Sequence, residues 1–298
     1  MATAAEPRPA SLPLPGGRPD ATVKLRPLLC GRFVSPEPSL HRQEGRLASL
    51  RALGVGADWT EVPVVAFLVE HPGAGRLLVD TGFHPAILAA PHEAFGRIAG
   101  RVIKDVKVEP EQVVSVQLRE LGIEPAEIGT VVMTHLHSDH ASGIAEYPES
   151  TFVVSDAEWK AAGSGGRMQG YWGRQFDHAF DWRTVSFDSE DADSYATFGR
   201  SLDLFGDGSV RVVSTPGHTA GHMSVILRLR EREALLTGDA AYTRRTIEKT
   251  ALPYRMEDEH RFRRSLREIQ LYEREQPGAL VICGHDFAQW RTLKPEYT

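Results

Sequence analysis

Four possible metal ligands are crowded into the stretch Thr134-His135-Leu136-His137-Ser138-Asp139-His140, which contains three histidines and one aspartate. The run just before it, Gly129-Thr-Val-Val-Met133, is apolar and rich in β-branched residues, which predicts a short buried strand. The polar stretch therefore follows a strand end, where ligands commonly bind in α/β folds. Imidazole and carboxylate groups suit zinc, iron, manganese or nickel, and the lack of cysteine within this stretch argues against a closed structural zinc site. A solvated, histidine-rich turn is the alternative, but such a turn rarely collects so many ligands.

The spacing within this stretch leaves the number of ions open. His135 and His137 are two positions apart, so both could face the same side of an extended backbone. Asp139 and His140 are adjacent and would point apart in a regular strand. They must therefore either curl around one ion or serve a second ion.

This pattern resembles the HxHxDH motif of the metallo-β-lactamase superfamily. Three further ligands of that family have matches later in the chain, each after an apolar run: His218 in Thr-Pro-Gly-His, Asp239 in Thr-Gly-Asp and His285 in Gly-His-Asp. Upstream, Leu78-Val-Asp-Thr-Gly82 matches another family signature. The resemblance extends over roughly residues 24–290. It implies an α/β fold, the αββα four-layer sandwich of that family.

The same resemblance implies two divalent metal ions. One would be bound by His135, His137 and His218, the other by Asp139, His140 and His285, with Asp239 bridging both. Such a pair can hold a bridging hydroxide and polarise a scissile carbonyl or phosphoryl oxygen. Zinc is the default metal, and iron, cobalt or manganese fit the same ligands.

Two residues beside the ligands are expected to support them. Asp80 is expected to accept the second ring N–H of a ligand histidine, and a simple turn aspartate is the alternative. His222 is interpreted as a structural or supporting residue rather than a ligand, because the family pattern places its ligand at His218.

Tyr242 narrows the substrate class. It follows Asp239 by three residues, and a tyrosine at this offset resembles that of the N-acyl-homoserine lactonases. The resemblance implies that Tyr242 hydrogen-bonds the lactone carbonyl and stabilises the oxyanion, while Asp139 or Asp239 passes a proton to the leaving oxygen. A small-molecule lactone substrate and a quorum-quenching role follow by the same resemblance. A tyrosine packed on the far side of its loop is the alternative.

The same residues fit other functions. A thioesterase, a phosphodiesterase or a phosphotriesterase could use the same ligands, because metals and fold alone do not name a substrate. A di-iron redox protein is disfavoured, since relatives of that kind carry a flavin-binding domain and some replace a histidine of the motif. A non-catalytic metal scaffold is disfavoured by the complete ligand set.

Composition excludes several classes of partner. The net charge of −6 and the pI near 6.1 argue against a nucleic-acid surface. No apolar run reaches the length of a membrane helix, so we expect no membrane partner.

The two cysteines, Cys30 and Cys283, form no disulfide framework, which fits a cytoplasmic protein. A homodimer is expected by analogy with larger relatives.

The chain divides into an arm and one domain. Residues 1–21 are rich in proline, alanine and glycine and predict a flexible or strap-like N-terminal arm. Residues 22–298 predict a single metallo-β-lactamase-like domain with an aromatic-rich insertion near residues 163–200. That insertion could be an interface, a pocket wall or a satellite core. The acyl chain of a substrate would lie on apolar residues from 83–103 and 168–187.

Helices are predicted at three places outside the motifs. Residues 110–121 begin with proline, carry apolar residues on one face and end at a glycine. Residues 156–162 follow Ser155, a suitable N-cap, and Glu158 should support the helix start. Residues 257–275 carry an apolar stripe within a charged sequence.

Overall fold

The computed structural model describes residues 4–89, 104–166 and 169–298, and within them two sheets stack against each other. The first sheet contains β1 (Arg8–Pro9), β2 (Lys24–Pro36), β3 (Trp59–His71), β4 (Gly75–Val79), β5 (Lys104–Lys107), β6 (Ile128–Val132), β7 (Thr151–Ser155) and β8 (Asp181–Val185). Its order is β1-β8-β7-β6-β4-β3-β2-β5. Neighbours from β1 to β4 along this order are parallel, and β2, β3, β4 and β5 pair antiparallel.

The second sheet is smaller and mostly antiparallel. It contains β9 (Asp193–Tyr195), β10 (Phe198–Asp203), β11 (Val210–Ser214), β12 (Met223–Arg228), β13 (Glu233–Leu236) and β14 (Leu280–Ile282). Its order is β14-β13-β12-β11-β10-β9, and only β13 and β14 run parallel among these neighbouring pairs of the described chain.

Helices lie on the outer faces of the two sheets and at the edges of the sandwich. They are α1 (Glu37–Leu40), α2 (Ala48–Ala52), α3 (Val114–Glu120), α4 (Ser138–Ala141), α5 (Asp156–Ser164), α6 (Gly173–Phe176), α7 (Arg244–Lys249), α8 (Glu259–Glu275) and α9 (Phe287–Trp290). Short 3₁₀ segments lie at Pro85–Leu88, Pro110–Gln112, Pro125–Glu127, Ser142–Glu146 and Gly238–Ala240. The predicted helix over residues 110–121 is therefore split, because the backbone of Val113 is extended (φ −64°, ψ 128°).

Three apolar layers hold this arrangement together. Side chains of both sheets, such as Val132 and Val225, meet in a central core. On the outer face of the first sheet, Leu118 of α3 packs in a second core. On the outer face of the second sheet, Phe262 and Ile269 of α8 pack in a third core. The order helices, sheet, sheet, helices confirms the predicted αββα sandwich, and burial of these apolar faces stabilises it.

Strand ends from both sheets point at one edge of the sandwich. In the first sheet β4 and β6 run parallel with Val79 beside Val132, so Asp80 and the 134–140 stretch leave the sheet together. In the second sheet β13 and β14 run parallel with Leu236 beside Ile282, so the segments leading to Asp239 and His285 also leave together. Parallel pairing thus brings residues that are distant in sequence to one place.

The described part of the N-terminal arm touches both sheets. Arg8 pairs with Arg183 of β8, the Leu14 amide donates to the Leu204 carbonyl at 2.7 Å, and the Ala21 carbonyl accepts from Arg228 Nε of β12 at 2.9 Å. The division of the chain into this arm and a single domain stays a prediction.

The aromatic-rich insertion contributes to two places. Trp182 is buried in the second core, with its ring centroid 4.8 Å from those of Phe152 and Trp159. Tyr171 instead lies beside the 134–140 stretch, with its ring centroid 5.0 Å from that of His137. Part of the predicted acyl-chain surface, at residues 90–103 and 168, lies outside the described residues.

Replacing Gly217 by alanine should destabilise the fold. Gly217 has φ +134°, and a Cβ built there lies 2.2 Å from the Phe262 amide nitrogen of α8. Strained backbone and this clash should cost at least about 2 kcal/mol in the free energy of unfolding. Urea unfolding of the purified variant measures the change.

Gly163→Ala is the matched control. Gly163 is exposed in α5, and nothing lies within 4 Å of a Cβ built there. This substitution should be neutral or stabilise by about 0.5–1 kcal/mol, because alanine favours a helix more than glycine does. Equal unfolding free energies for the two variants would contradict the assigned close packing at Gly217.

Candidate metal centre

The structure brings all seven predicted ligand residues to one edge of the sandwich. Their donor atoms form three overlapping groups, within each of which the atoms lie within 4.8 Å of one another. The groups are His135, His137 and His218; His135, His140 and Asp239; and Asp139, His140 and His285. Six of the seven residues are buried, and His137 is partly exposed.

Asp239 lies between these groups. Its Oδ2 is 3.2 Å from His218 Nε2, while its Oδ1 is 3.2 Å from His140 Nε2 and 3.1 Å from His285 Nε2. Although burial disfavours a charged carboxylate, the imidazoles of His285, His218 and His140 hold the pKa of Asp239 well below its usual range. Asp239 is therefore the charged group that the surrounding histidines share.

Several of the atoms that could bind metal lack a hydrogen-bond partner in the described part of the protein. His135 Nε2, His137 Nε2, His140 Nε2 and Asp239 Oδ1 are buried and have no hydrogen-bond partner within the described residues. Buried polar atoms without partners are costly, so native proteins nearly always satisfy them. Imidazole and carboxylate donors facing one another at these distances fit divalent metal ions.

Protonation differs between the two ends of the cluster. Burial lowers the pKa of His137 to about 4 and the pKa values of His135 and His218 well below the usual one. Burial also opposes the charging of His140 and His285, but nearby carboxylates raise the pKa of both. The lowered pKa values favour the neutral imidazole, which is the form that binds metal, at His135, His137 and His218. The carboxylates favour the charged form of His140 and His285, so a metal would compete with protons there.

Hydrogen bonds from the surrounding chain orient the imidazoles. Asp80 Oδ2 lies 2.7 Å from His140 Nδ1, which is the type of contact expected for it. The Thr134 amide donates to Asp80 Oδ1 at 2.8 Å and fixes this carboxylate. On the other side, His285 Nδ1 lies 2.9 Å from the Pro63 carbonyl oxygen, to which it can donate. With Nδ1 engaged, the Nε2 atoms of His140 and His285 are directed at Asp239.

His222 supports the centre from behind. Its Nε2 accepts a hydrogen bond from the Asp239 amide at 2.9 Å, and its Nδ1 lies 2.9 Å from the Thr215 hydroxyl. Both ring nitrogens are therefore occupied, so His222 holds the backbone of Asp239 and is not a ligand, as its place in the sequence suggested.

Tyr242 faces the centre and not the far side of its loop. Its hydroxyl lies 3.1 Å from His218 Nδ1, and its ring centroid lies 5.3 Å from that of His285. Burial raises the pKa of this phenol well above its usual value, so it stays a neutral hydrogen-bond donor. The Tyr242 side chain remains partly exposed, which leaves it accessible to a small molecule.

Glu158 and Tyr171 also lie beside the cluster. The sequence did not identify Glu158 as part of the site, and it placed Tyr171 only within the 168–187 segment predicted to contact the acyl chain. Glu158 was expected only to support the start of α5, but its carboxylate is directed into the protein and accepts a hydrogen bond from the Leu136 amide. The glycine-rich start of the insertion was a weak signal for Tyr171. Glycines indicate that the backbone approaches a neighbour closely, but they do not indicate which neighbour. No sequence pattern indicated the direction of the Glu158 side chain.

Replacing Asp80 by asparagine should weaken metal binding while preserving the shape of the site. The amide cannot carry the charge that favours a donating His140 Nδ1, so the affinity for Zn²⁺ should fall about 10- to 100-fold. Competition with a chromophoric chelator measures the affinity.

Asp207→Asn is the control, because Asp207 Oδ2 makes a comparable contact of 3.1 Å with buried His71, away from the centre. Its affinity for Zn²⁺ should match that of the wild type. Equal losses in the Asp80 and Asp207 variants would show that the effect comes from general destabilisation.

No helix among residues 4–89, 104–166 and 169–298 has both the length and the apolar character that a membrane crossing requires.

Comparison with known proteins places this geometry in a family. The family model described as the metallo-beta-lactamase superfamily matches residues 59–285. The N-acyl homoserine lactonase AttM of Rhizobium johnstonii is 35% identical over 253 residues, covering 82% of this chain and 90% of that protein. AttM of Agrobacterium fabrum is 33% identical over the same shares. A probable metallo-hydrolase of Mycobacterium tuberculosis is 30% identical, covering 74% of this chain and 73% of that protein.

Solved structures agree on the fold. An N-acyl homoserine lactone hydrolase with the product N-hexanoyl-L-homoserine at its catalytic metal center aligns with a TM-score of 0.75 at 23% identity, covering 93% of this chain and all of that one. At this identity the likeness shows the fold alone. The family match and the sequence relatives show that this chain belongs to the metallo-β-lactamase superfamily.

Proposed function

We propose that this protein is a metal-dependent hydrolase that opens the lactone ring of N-acyl-homoserine lactones and so quenches quorum signals. The observation that carries the proposal is the position of Tyr242, whose hydroxyl lies 3.1 Å from His218 Nδ1 at the rim of the histidine cluster. The relatives of 33–35% identity named as N-acyl homoserine lactonases support the same substrate class.

The ligand roles that we propose follow the three geometric groups. One ion would be held by His135, His137 and His218, the other by Asp139, His140 and His285, with Asp239 between them. Zinc is the metal that we propose, because it accepts this mixture of imidazole and carboxylate, as iron, cobalt and manganese also can. When bound, such a pair of ions activates a water molecule for attack on a carbonyl carbon and polarises the carbonyl oxygen.

Tyr242 would act on the carbonyl oxygen of the lactone. As water adds to the carbonyl carbon, negative charge grows on this oxygen, and a neutral phenol stabilises it by donating a hydrogen bond. The raised pKa of Tyr242 suits this task, since a phenolate could not donate. The hydroxyl lies 3.1 Å from His218 Nδ1, and it would turn from there to the lactone.

The carboxylates would handle the protons. Asp139 and Asp239 are the two candidates, and 12% of the Asp139 side chain is exposed against 4% of that of Asp239. Asp139 is therefore better placed to take the proton released by the attacking water and pass it to the ring oxygen. The ring C–O bond breaks, the ring oxygen gains this proton, and the product is an N-acyl-homoserine whose new carboxyl group releases the second proton of the water to solvent.

Several features of the proposal concern the whole protein. The acyl chain would rest on apolar residues from the two segments named above, parts of which lie outside the described residues. We also propose a cytoplasmic homodimer with no nucleic-acid or membrane partner, on the grounds of composition and analogy.

Hydrolysis assays test the substrate class. The Zn²⁺-loaded protein should open short- and long-chain N-acyl-homoserine lactones faster than an aryl ester, a thioester or a phosphotriester. The activity should disappear in His137→Ala, because removing one ligand opens the first group. Chromatography of the ring-opened product measures the rate. If the lactones are inert while the thioester or the phosphotriester is cleaved, the proposed metal centre is retained but the proposed substrate class is wrong.

Tyr242→Phe tests the role of the phenol. Loss of one oxyanion donor should lower kcat about 10²- to 10³-fold, while bound Zn²⁺ stays at the wild-type level. Tyr297→Phe is the control, because the Tyr297 hydroxyl also makes a hydrogen bond, accepting from the Lys294 amide at 2.8 Å, but lies on the C-terminal segment.

The two possible roles of Tyr242 separate in this experiment. If its hydroxyl mainly holds His218, the variant loses affinity for Zn²⁺ and regains activity at high metal concentration. If kcat stays unchanged at saturating Zn²⁺, Tyr242 has no part in the chemistry.

A further inference from the structure

Glu158 is a fully buried carboxyl group that the proposed chemistry does not use. It lies in the first turn of α5, and its amide donates to the Ser155 side chain at 3.0 Å, which confirms the predicted N-cap. Its side chain has a relative exposure of 0%. Glutamate is almost never fully buried unless it is paired, so its partners must account for its presence.

The two oxygens of Glu158 reach two different loops. Oε1 accepts a hydrogen bond from the Leu136 amide at 2.9 Å. Oε2 accepts a hydrogen bond from the Thr219 hydroxyl at 2.6 Å. Leu136 lies between His135 and His137 in the sequence, and Thr219 directly follows His218. One carboxylate thus connects the two loops that carry the group His135, His137 and His218.

The start of α5 also holds the second loop by its backbone. The Ser155 hydroxyl donates to the Gly221 carbonyl at 2.6 Å. A Cβ built on Gly221 would lie 1.9 Å from the Glu158 amide nitrogen, so only glycine permits this approach. The loop from Thr219 to Gly221 therefore packs directly against the first turn of α5, which contains Glu158.

The other ligand group has different supports. His140 is oriented by Asp80 at 2.7 Å, and His285 by the Pro63 carbonyl at 2.9 Å. These contacts come from the ends of β4 and from β3, away from the start of α5. A disturbance at Glu158 should therefore reach one ligand group and spare the other.

Stability alone does not explain this carboxyl group. Burial raises the pKa of Glu158 to about 7, although the hydrogen bonds from Thr219 and Leu136 favour its charged form. Removing this carboxylate would leave the buried Leu136 amide without an acceptor, so Glu158 also contributes to stability. Stability does not require, however, that one carboxylate connect two loops that both carry histidines of one group, and this geometry distinguishes Glu158.

We propose that Glu158 is a positioning residue that sets the distance between the 135–137 and 218–219 loops, so that His135, His137 and His218 can bind one metal ion together. The inference rests on the proposed function, since it takes these three histidines to be ligands. Under this proposal, Glu158 controls the affinity of the protein for the ion held by these three histidines and does not affect its affinity for the other ion.

Thr219→Val is the main test. Valine keeps the shape of threonine but removes the hydroxyl, so the hydrogen bond between Glu158 and residue 219 is lost while the Leu136 bond and the Ser155–Gly221 bond can persist. One of two bound Zn²⁺ equivalents should lose about tenfold or more in affinity, and the other should keep its wild-type value. Chelator competition resolves the two equivalents and does not depend on enzymatic activity.

Two further sets of variants separate positioning from stability. Thr197→Val removes a hydroxyl that donates to the Glu268 carbonyl at 2.8 Å, remote from the centre, and should bind both equivalents as the wild type does. Glu158→Gln retains one acceptor oxygen and gains a donor for Thr219, so it should restore most of the affinity that Glu158→Ala loses. If Glu158→Ala fails to fold, Thr219→Val and Glu158→Gln still decide the question.

The outcomes distinguish this inference from the proposed function. Selective loss of one equivalent in Thr219→Val supports the positioning role. Equal losses in both equivalents, or none, overturn it while leaving the proposed function intact. A wild-type protein that binds no Zn²⁺ overturns both.

Discussion

The structure depends on one electrostatic constraint, the burial of a carboxylate among imidazoles. Asp239 lies within 3.2 Å of ring nitrogens of His140, His218 and His285, in a region closed to solvent. An isolated charge in such a place would be very costly. Only a precise arrangement of donors from several loops makes it tolerable, and the surrounding hydrogen bonds supply that arrangement.

The fold meets this constraint by aligning strand ends. Two parallel pairs, β4 with β6 and β13 with β14, deliver the loops that bear Asp80 and His140 and those that bear Asp239 and His285. The cores between and outside the sheets fix the positions of these strand ends, and therefore the points from which the polar loops leave the sheets. The contacts of Glu158 and His222 then join loops that the strands leave independent.

Sequence reasoning predicted the parts that local patterns encode. Apolar runs followed by His or Asp predicted the strand ends and hence the convergence of the cluster, and the resemblance supplied the sandwich. The direction of the Glu158 side chain was not predictable, because a glutamate at the third position of a helix usually points to solvent or caps the helix. The split at Val113 was also missed, because the periodicity of residues 110–121 does not report the extended backbone of one residue.

The central claim is that seven residues form one site for two ions that share Asp239. Anomalous diffraction from crystals of the Zn²⁺-loaded protein tests this most directly. We expect two peaks about 3.5–4 Å apart, one bonded to His135, His137 and His218 and the other to Asp139, His140 and His285, with Asp239 between them. A single peak, or a second peak outside this cluster, would contradict the account.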